Sequence, residues 1–192
     1  MEALEAILSR RTVPPALMAE PGPDDAALAQ LLAAAAAAPD HGRLKPWRFL
    51  VVRGEARARL GELVAAALAR EHPELDAAEL DKQRRAPTRA PILVIAIARL
   101  DPGHPKIPEI EQIAAAAAAV QNLLLAAHAM GFAGKWATGR PAYSPGVAAG
   151  LGLAANERIL GLLYLGSPKA APAPVERAMP SDRVAVWRGT PP

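Results

Sequence analysis

The stretch from Glu109 to Met130 limits this chain more than any other, because EIEQIAAAAAAVQNLLLAAHAM is built almost wholly of helix-forming residues and is followed by Gly131. Alanine and leucine have high helix propensity, and glycine is favoured where a helix closes with a left-handed residue. A helix this apolar must be covered on nearly every face. Ile113 to Met130 has only about the minimum length to span a bilayer and carries Gln121, Asn122 and His128, so a buried helix of a folded protein is the reading. Hydrophobic residues make up 52% of the chain and aromatic residues only 4%, a balance suited to tightly packed helices more than to an aromatic-rich sandwich. At 192 residues, a single domain covering 1–192 is expected.

The other elements alternate around this helix. Leu4, Ile7 and Leu8 mark one face of a short helix ending at Ser9. Prolines 14, 15, 21 and 23 prevent its continuation, and Asp24 or Asp25 caps a helix running to Ala38 and stopped by Pro39. PDHGRLKPW, residues 39–47, reads as a loop, and Arg48 to Val52 as a strand. Glu55–Arg70 and Leu75–Arg85 read as helices. ILVIAIA, residues 92–98, reads as a strand buried on both faces. DPGHPKIP, residues 101–108, is a stiff loop. Phe132–Thr138 and Ile159–Leu165 are expected strands, with a brief helix started by Ser144 and Pro145 between them. The order is α+β, not a regular βαβ repeat. Residues 167–182 hold four prolines, so 167–192 is expected to be a tail that drapes over the body or a partner subunit, a disordered tail being the alternative.

Composition excludes several kinds of chemistry. The chain has no cysteine, which removes disulfides, thiolate metal sites and a cysteine nucleophile. GxSxG, HExxH and Walker motifs are absent, and the four histidines form no metal-ligand pattern, so no metal is expected. GLGLAA, residues 150–155, matches the loose dinucleotide pattern but follows a helix instead of a strand, and reads as a turn. A net charge of +3 is too small to argue for nucleic acid, although the isoelectric point is 9.6. The first residues, MEALEAILSRR, lack the form of a signal peptide, and a cytoplasmic location is expected.

Three segments carry candidate binding residues, each with a plainer alternative. Arg10, Arg11 and Thr12 place two guanidinium groups and a hydroxyl together, the equipment for gripping a phosphate; cations at a helix C-terminus are the alternative. Pro39, His41, Arg43 and Lys45 form a basic loop that either meets a polar ligand or is a solvated surface. Trp136, Ala137, Thr138 and Gly139 join an aromatic residue to backbone amides beside a glycine, or simply end a strand.

Taken together and in order, the helix ending in RRT, APDHGRLKPW before a strand, GFAGKWATG and ILGLLYLGSPK resemble the nitroreductase family, its small YdjA-like branch in particular. The resemblance runs through nearly the whole chain. It implies an α+β fold around a mainly antiparallel sheet, an intertwined homodimer, and FMN at each subunit interface, with NADH or NADPH as electron donor. It implies further that Arg10, Arg11 and Thr12 hold the phosphate and ribityl end, that Pro39, His41 and Arg43 reach the flavin of the other subunit, and that Trp136, Ala137, Thr138 and Gly139 lie along the isoalloxazine. No catalytic side chain is required, since flavin N5 carries the hydride. The implied activity is reduction of nitroaromatics, quinones or similar electrophiles, with a non-catalytic FMN-binding protein as the alternative. Ala37 and Ala137 stand where relatives carry arginines, and Ile110 where a tryptophan is expected.

Overall fold

The computed structural model describes residues 2–171, 173 and 181–189. Seven α-helices and five strands are found among them: α1 (Ala3–Ser9), β1 (Met18–Ala19), α2 (Asp25–Ala36), β2 (Trp47–Arg53), α3 (Ala56–Glu71), α4 (Ala77–Arg85), β3 (Ile92–Arg99), α5 (Glu109–Ala129), β4 (Ala133–Ala137), α6 (Gly139–Tyr143), α7 (Pro145–Gly150) and β5 (Glu157–Pro168). Every strand pairing is antiparallel, in the order β1-β5-β3-β2, with β4 also pairing with β5.

Local chemistry accounts for most boundaries. The Asp24 side chain accepts from Ala27 N and starts α2, and Asp76 and Glu79 form a reciprocal capping box at α4. That box starts α4 at Ala77, two residues later than the sequence pattern suggests. Gly131, at φ 86°, ends α5 in the left-handed region, and Ser144 caps α7 by accepting from Val147 N.

The sheet separates two apolar layers. Strand β3 is buried from Ile92 to Ala98, as its unbroken apolar run requires. On one side Leu93, Ile95 and Ile97 meet Val64 and Leu68 of α3; on the other, Val94 and Ala96 meet Leu31 of α2 and Val120 and Leu123 of α5. Helix α5 is long and apolar enough to cross a membrane by composition, yet it packs on α2 and the sheet, and its Ala116, Ala119, Val120, Leu123 and Ala127 are fully covered.

Strand β5 is the longest, and it extends to Pro168, three residues past the expected end, because Pro168 and Ser167 pair with Met18 and Ala19. Residues 167 and 168 therefore belong to the sheet. Part of the expected tail, residues 172, 174–180 and 190–192, lies outside the described residues. Val184, Val186 and Trp187, which are described, stand exposed.

Candidate functional site

The site is built around the two ends of β4 and the two ends of α5. After α1, Thr12 makes a parallel bridge to Gly134, and Val13 N donates to Gly134 O at 3.1 Å. Pro14 and Pro15 have no N–H, so the pairing stops there. The RRT segment is thus clamped against the beginning of β4, and a cleft of about 220 Å³ opens between them. Arg10, Arg11, His128, Gly131, Gly134 and Pro168 are among its lining residues.

The two arginines differ in setting. Arg11 Nη1 donates to Leu8 O at 2.8 Å and to Arg10 O at 3.0 Å, so part of this guanidinium caps the carbonyl end of α1. Both arginines still border the cleft, giving it a donor set that suits a phosphate. His128, on the last turn of α5, places Nε2 2.7 Å from Ser9 Oγ. Burial, and then the nearby Arg10 and Arg11, hold its imidazole below the ordinary histidine value, with Glu5 acting the other way.

At the far end of β4, Ala137, Thr138 and Gly139 border a second cavity of about 200 Å³, with Leu162, Tyr164 and Gln83 among its walls. Thr138 is four strand positions beyond Gly134, about 13 Å. The Trp136 side chain does not stand free over either space. Its indole lies across Gly161, where an added Cβ would come within 2.1 Å of Nε1, and Nε1 donates to Leu160 O at 2.9 Å.

The basic loop lies elsewhere. His41–Arg43 is a short 3-10 turn whose Gly42, Arg43 and nearby Lys45 all have positive φ, two of them without being glycine. Such backbone costs free energy and persists only where its surroundings hold it. Asp40 Oδ2 accepts from Lys45 N at 2.6 Å, His41 Nδ1 meets Glu111 Oε2 at 2.6 Å, and Ile107 occupies the space a Cβ on Gly42 would need. Gln112, only 1% exposed, ties down the neighbouring loop: its Nε2 donates to Asp101 O and Ile107 O, and its Oε1 accepts from Asp101 N. Pro39, Arg43 and Lys45 are exposed, as are Ala37 and Ile110.

The sequence-derived residues therefore fall into separate groups. Arg10, Arg11 and Thr12 meet β4 beside His128, whereas His41 meets Glu111. From Glu111 to His128 the same helix rises by about 25 Å. A single chain does not bring the two ends together. Sequence reasoning passed over His128, Gln112 and Tyr164 as site residues; for the first two the signal was a polar residue inside an alanine-leucine helix.

An antiparallel sheet flanked by helices in this order matches a known class of fold. Residues 7–167 fit the sequence model of the Nitroreductase family, and the chain belongs to that family. Among its relatives is YdjA of Escherichia coli strain K12, provisionally named an NAD(P)H nitroreductase, which is 38% identical over 170 residues, covering 88% of this chain and 90% of YdjA. The fold is similar to that of a nitroreductase-like family protein from Bacillus cereus, with a TM-score of 0.83 and 25% identity over 98% of this chain and 97% of the other. It is also similar to a point mutant of NfnB, an FMN- and NADPH-dependent nitroreductase from Sphigopyxis sp. strain HMH, with a TM-score of 0.76 and 25% identity over 99% and 100% of the two chains.

Proposed function

We propose that this protein is an FMN-dependent NAD(P)H oxidoreductase that works as a cytoplasmic homodimer and reduces nitroaromatics, quinones or similar electrophiles. The observation that carries the reading is the cleft where Arg10 and Arg11 stand beside the first residues of β4. Its donor set fits a phosphate monoester: guanidinium groups match phosphate oxygens in pairs, and the glycines at 131 and 134 leave the backbone approachable. In this reading Arg10, Arg11 and Thr12 hold the phosphate and ribityl end of FMN. Ala137, Thr138 and Gly139, about 13 Å along β4, border the ring system, with Trp136 setting the strand's position through its bond to Leu160. Bound flavin would accept hydride from NADH or NADPH and deliver it to the acceptor.

The separation along α5 supports the dimer. Pro39, His41 and Arg43 belong to the loop that meets Glu111, about 25 Å along α5 from His128, and in this reading they reach the flavin of a second subunit. Leu4, Ile7 and Leu8 of α1 are exposed close to the cleft, an apolar face that a partner would cover. The segment after Pro168, with exposed Val184, Val186 and Trp187 near its end, is read as an arm over that partner, attached to one domain that spans the chain.

The absorption spectrum of freshly purified protein, taken with its mass by light scattering, tests both parts. A flavin spectrum in a particle of twice the chain mass is the expected result. A colourless protein that does not take up added FMN, or a flavin-loaded monomer at micromolar concentration, would overturn the reading.

A further inference from the structure

We infer that His128 is a third cationic contact for the phosphate of FMN, and that cofactor binding therefore takes up a proton at this imidazole. The inference rests on the cleft being the phosphate site. Its ground is the place of His128 in that cleft, on the wall shared with Arg10 and Arg11.

The imidazole is held in orientation. Ser9 Oγ donates its one proton to Glu5 O at 2.6 Å, so it accepts from His128 Nε2–H at 2.7 Å. Nδ1 is then the nitrogen that gains the second proton. Around the ring, Arg10 and Arg11 from the segment after α1 oppose a further positive charge, and Glu5 of α1 favours it. Lys169 follows the cleft-lining Pro168, but its ammonium donates to Ala16 O at 2.9 Å. The β4 side of the cleft, Gly131 to Gly134, carries no titratable side chain. The carbonyl end of α5 favours the protonated ring.

Before FMN binds, burial and two guanidinium groups keep His128 neutral near pH 7. A phosphate dianion beside the same two arginines reverses the local sign, and the imidazolium becomes a donor to it. No other step is needed: one proton moves from solvent to Nδ1 as the phosphate enters. By linkage, affinity for FMN then falls with rising pH, tenfold for each pH unit between the His128 pKa of the free and of the bound protein.

The test is FMN affinity of the apoprotein by fluorescence quenching at pH 6 and pH 8, for the parent, H128Q and H128K. FMN's own phosphate titrates near pH 6 in every case and cancels when variants are compared. The parent should bind better than H128Q by about three- to sixfold more at pH 6 than at pH 8, taking the phosphate to raise the His128 pKa by about one unit from a value below the ordinary one. H128K should bind tightly without that dependence, and riboflavin, lacking the phosphate, should not distinguish the variants. Calorimetry in two buffers of different ionisation enthalpy should show proton uptake by the parent beyond that of H128Q. A parent-to-H128Q ratio that is constant from pH 6 to pH 8, while R10A still weakens FMN binding, overturns the role of His128 and leaves the cleft as the phosphate site. If R10A leaves FMN affinity unchanged, the phosphate lies elsewhere and both readings fall.

Discussion

Replacing Gln112 by leucine should cost this protein about 3 kcal/mol. Gln112 is 1% exposed and makes three hydrogen bonds to the 101–108 loop, at 2.9, 2.9 and 2.7 Å. Leucine fills a similar volume but pairs with none of them. The Ile107 carbonyl, whose bond is buried, is left unsatisfied at about 1–3 kcal/mol; the Asp101 groups are part-buried and lose about 0.5–1.5 kcal/mol each when water replaces the amide. Burial of the added apolar surface offsets about 1 kcal/mol of this sum. In a chain of this size that deficit lowers the thermal midpoint by about 6–12 °C. Urea unfolding of the parent and Q112L, with equal slopes, gives the difference directly. The adjacent variant E111Q is the control: it removes an exposed partner of His41, and such pairs are worth about 0–1 kcal/mol. Equal, small losses in Q112L and E111Q would show that the loop is not held by Gln112.

In the proposed reading the Arg10 guanidinium faces the phosphate, so Arg10→Ala should weaken FMN binding at least about thirtyfold; Arg11→Ala should weaken it and also lower the melting temperature of the apoprotein, since Arg11 caps α1, and an unchanged FMN titration of R10A would refute the placement. If both reactants use one flavin site in turn, as proposed, steady-state kinetics with NAD(P)H and acceptor varied together should give parallel double-reciprocal lines; intersecting lines would require a ternary complex. Glu157 is held below the usual carboxylate range by its bidentate bond from Arg48, so the stability it adds is full above about pH 4.5 and is lost as pH falls through its lowered value. Glu157→Gln should thus cost about 3 kcal/mol at pH 7, the low end for a buried pair because Arg48 is partly exposed, and the deficit should close in acid; a deficit independent of pH would contradict this.

The sequence carried the elements whose causes are local. ILVIAIA could hardly be anything but a covered strand, Ser144 and Pro145 announce a helix start, and Gly131 a helix stop. What escaped depends on partners far along the chain. Met18 and Ala19 form a strand only because Ser167 and Pro168 come beside them. Trp136 looks like a free aromatic surface until Gly161, 25 residues later, is seen to make room for its indole. The RRT motif was legible as an anion grip and as a helix cap, and Arg11 does the second while bordering the cleft of the first. His128 shows in the sequence only as a polar residue in an apolar helix, since its meaning comes from Ser9 and the arginines, 119 residues away at the nearest bond.

The position of β5 governs when this fold can come into being. It pairs with β1, β3 and β4, and Lys169 N beyond it donates to Leu17 O. A chain growing from its amino end has made α5 and the β2–β3 pair before Glu157 is added. At about 5–20 residues per second, roughly 3 to 12 s pass between the end of β3 and the addition of Glu157. Until then β1 and β4 have no strand to join, and the edge of β3 that β5 covers stays open to other nascent chains. A message cut short before codon 157 therefore yields a sticky, unfinished sheet in place of a smaller working protein, and any slowing of translation there lengthens the exposure.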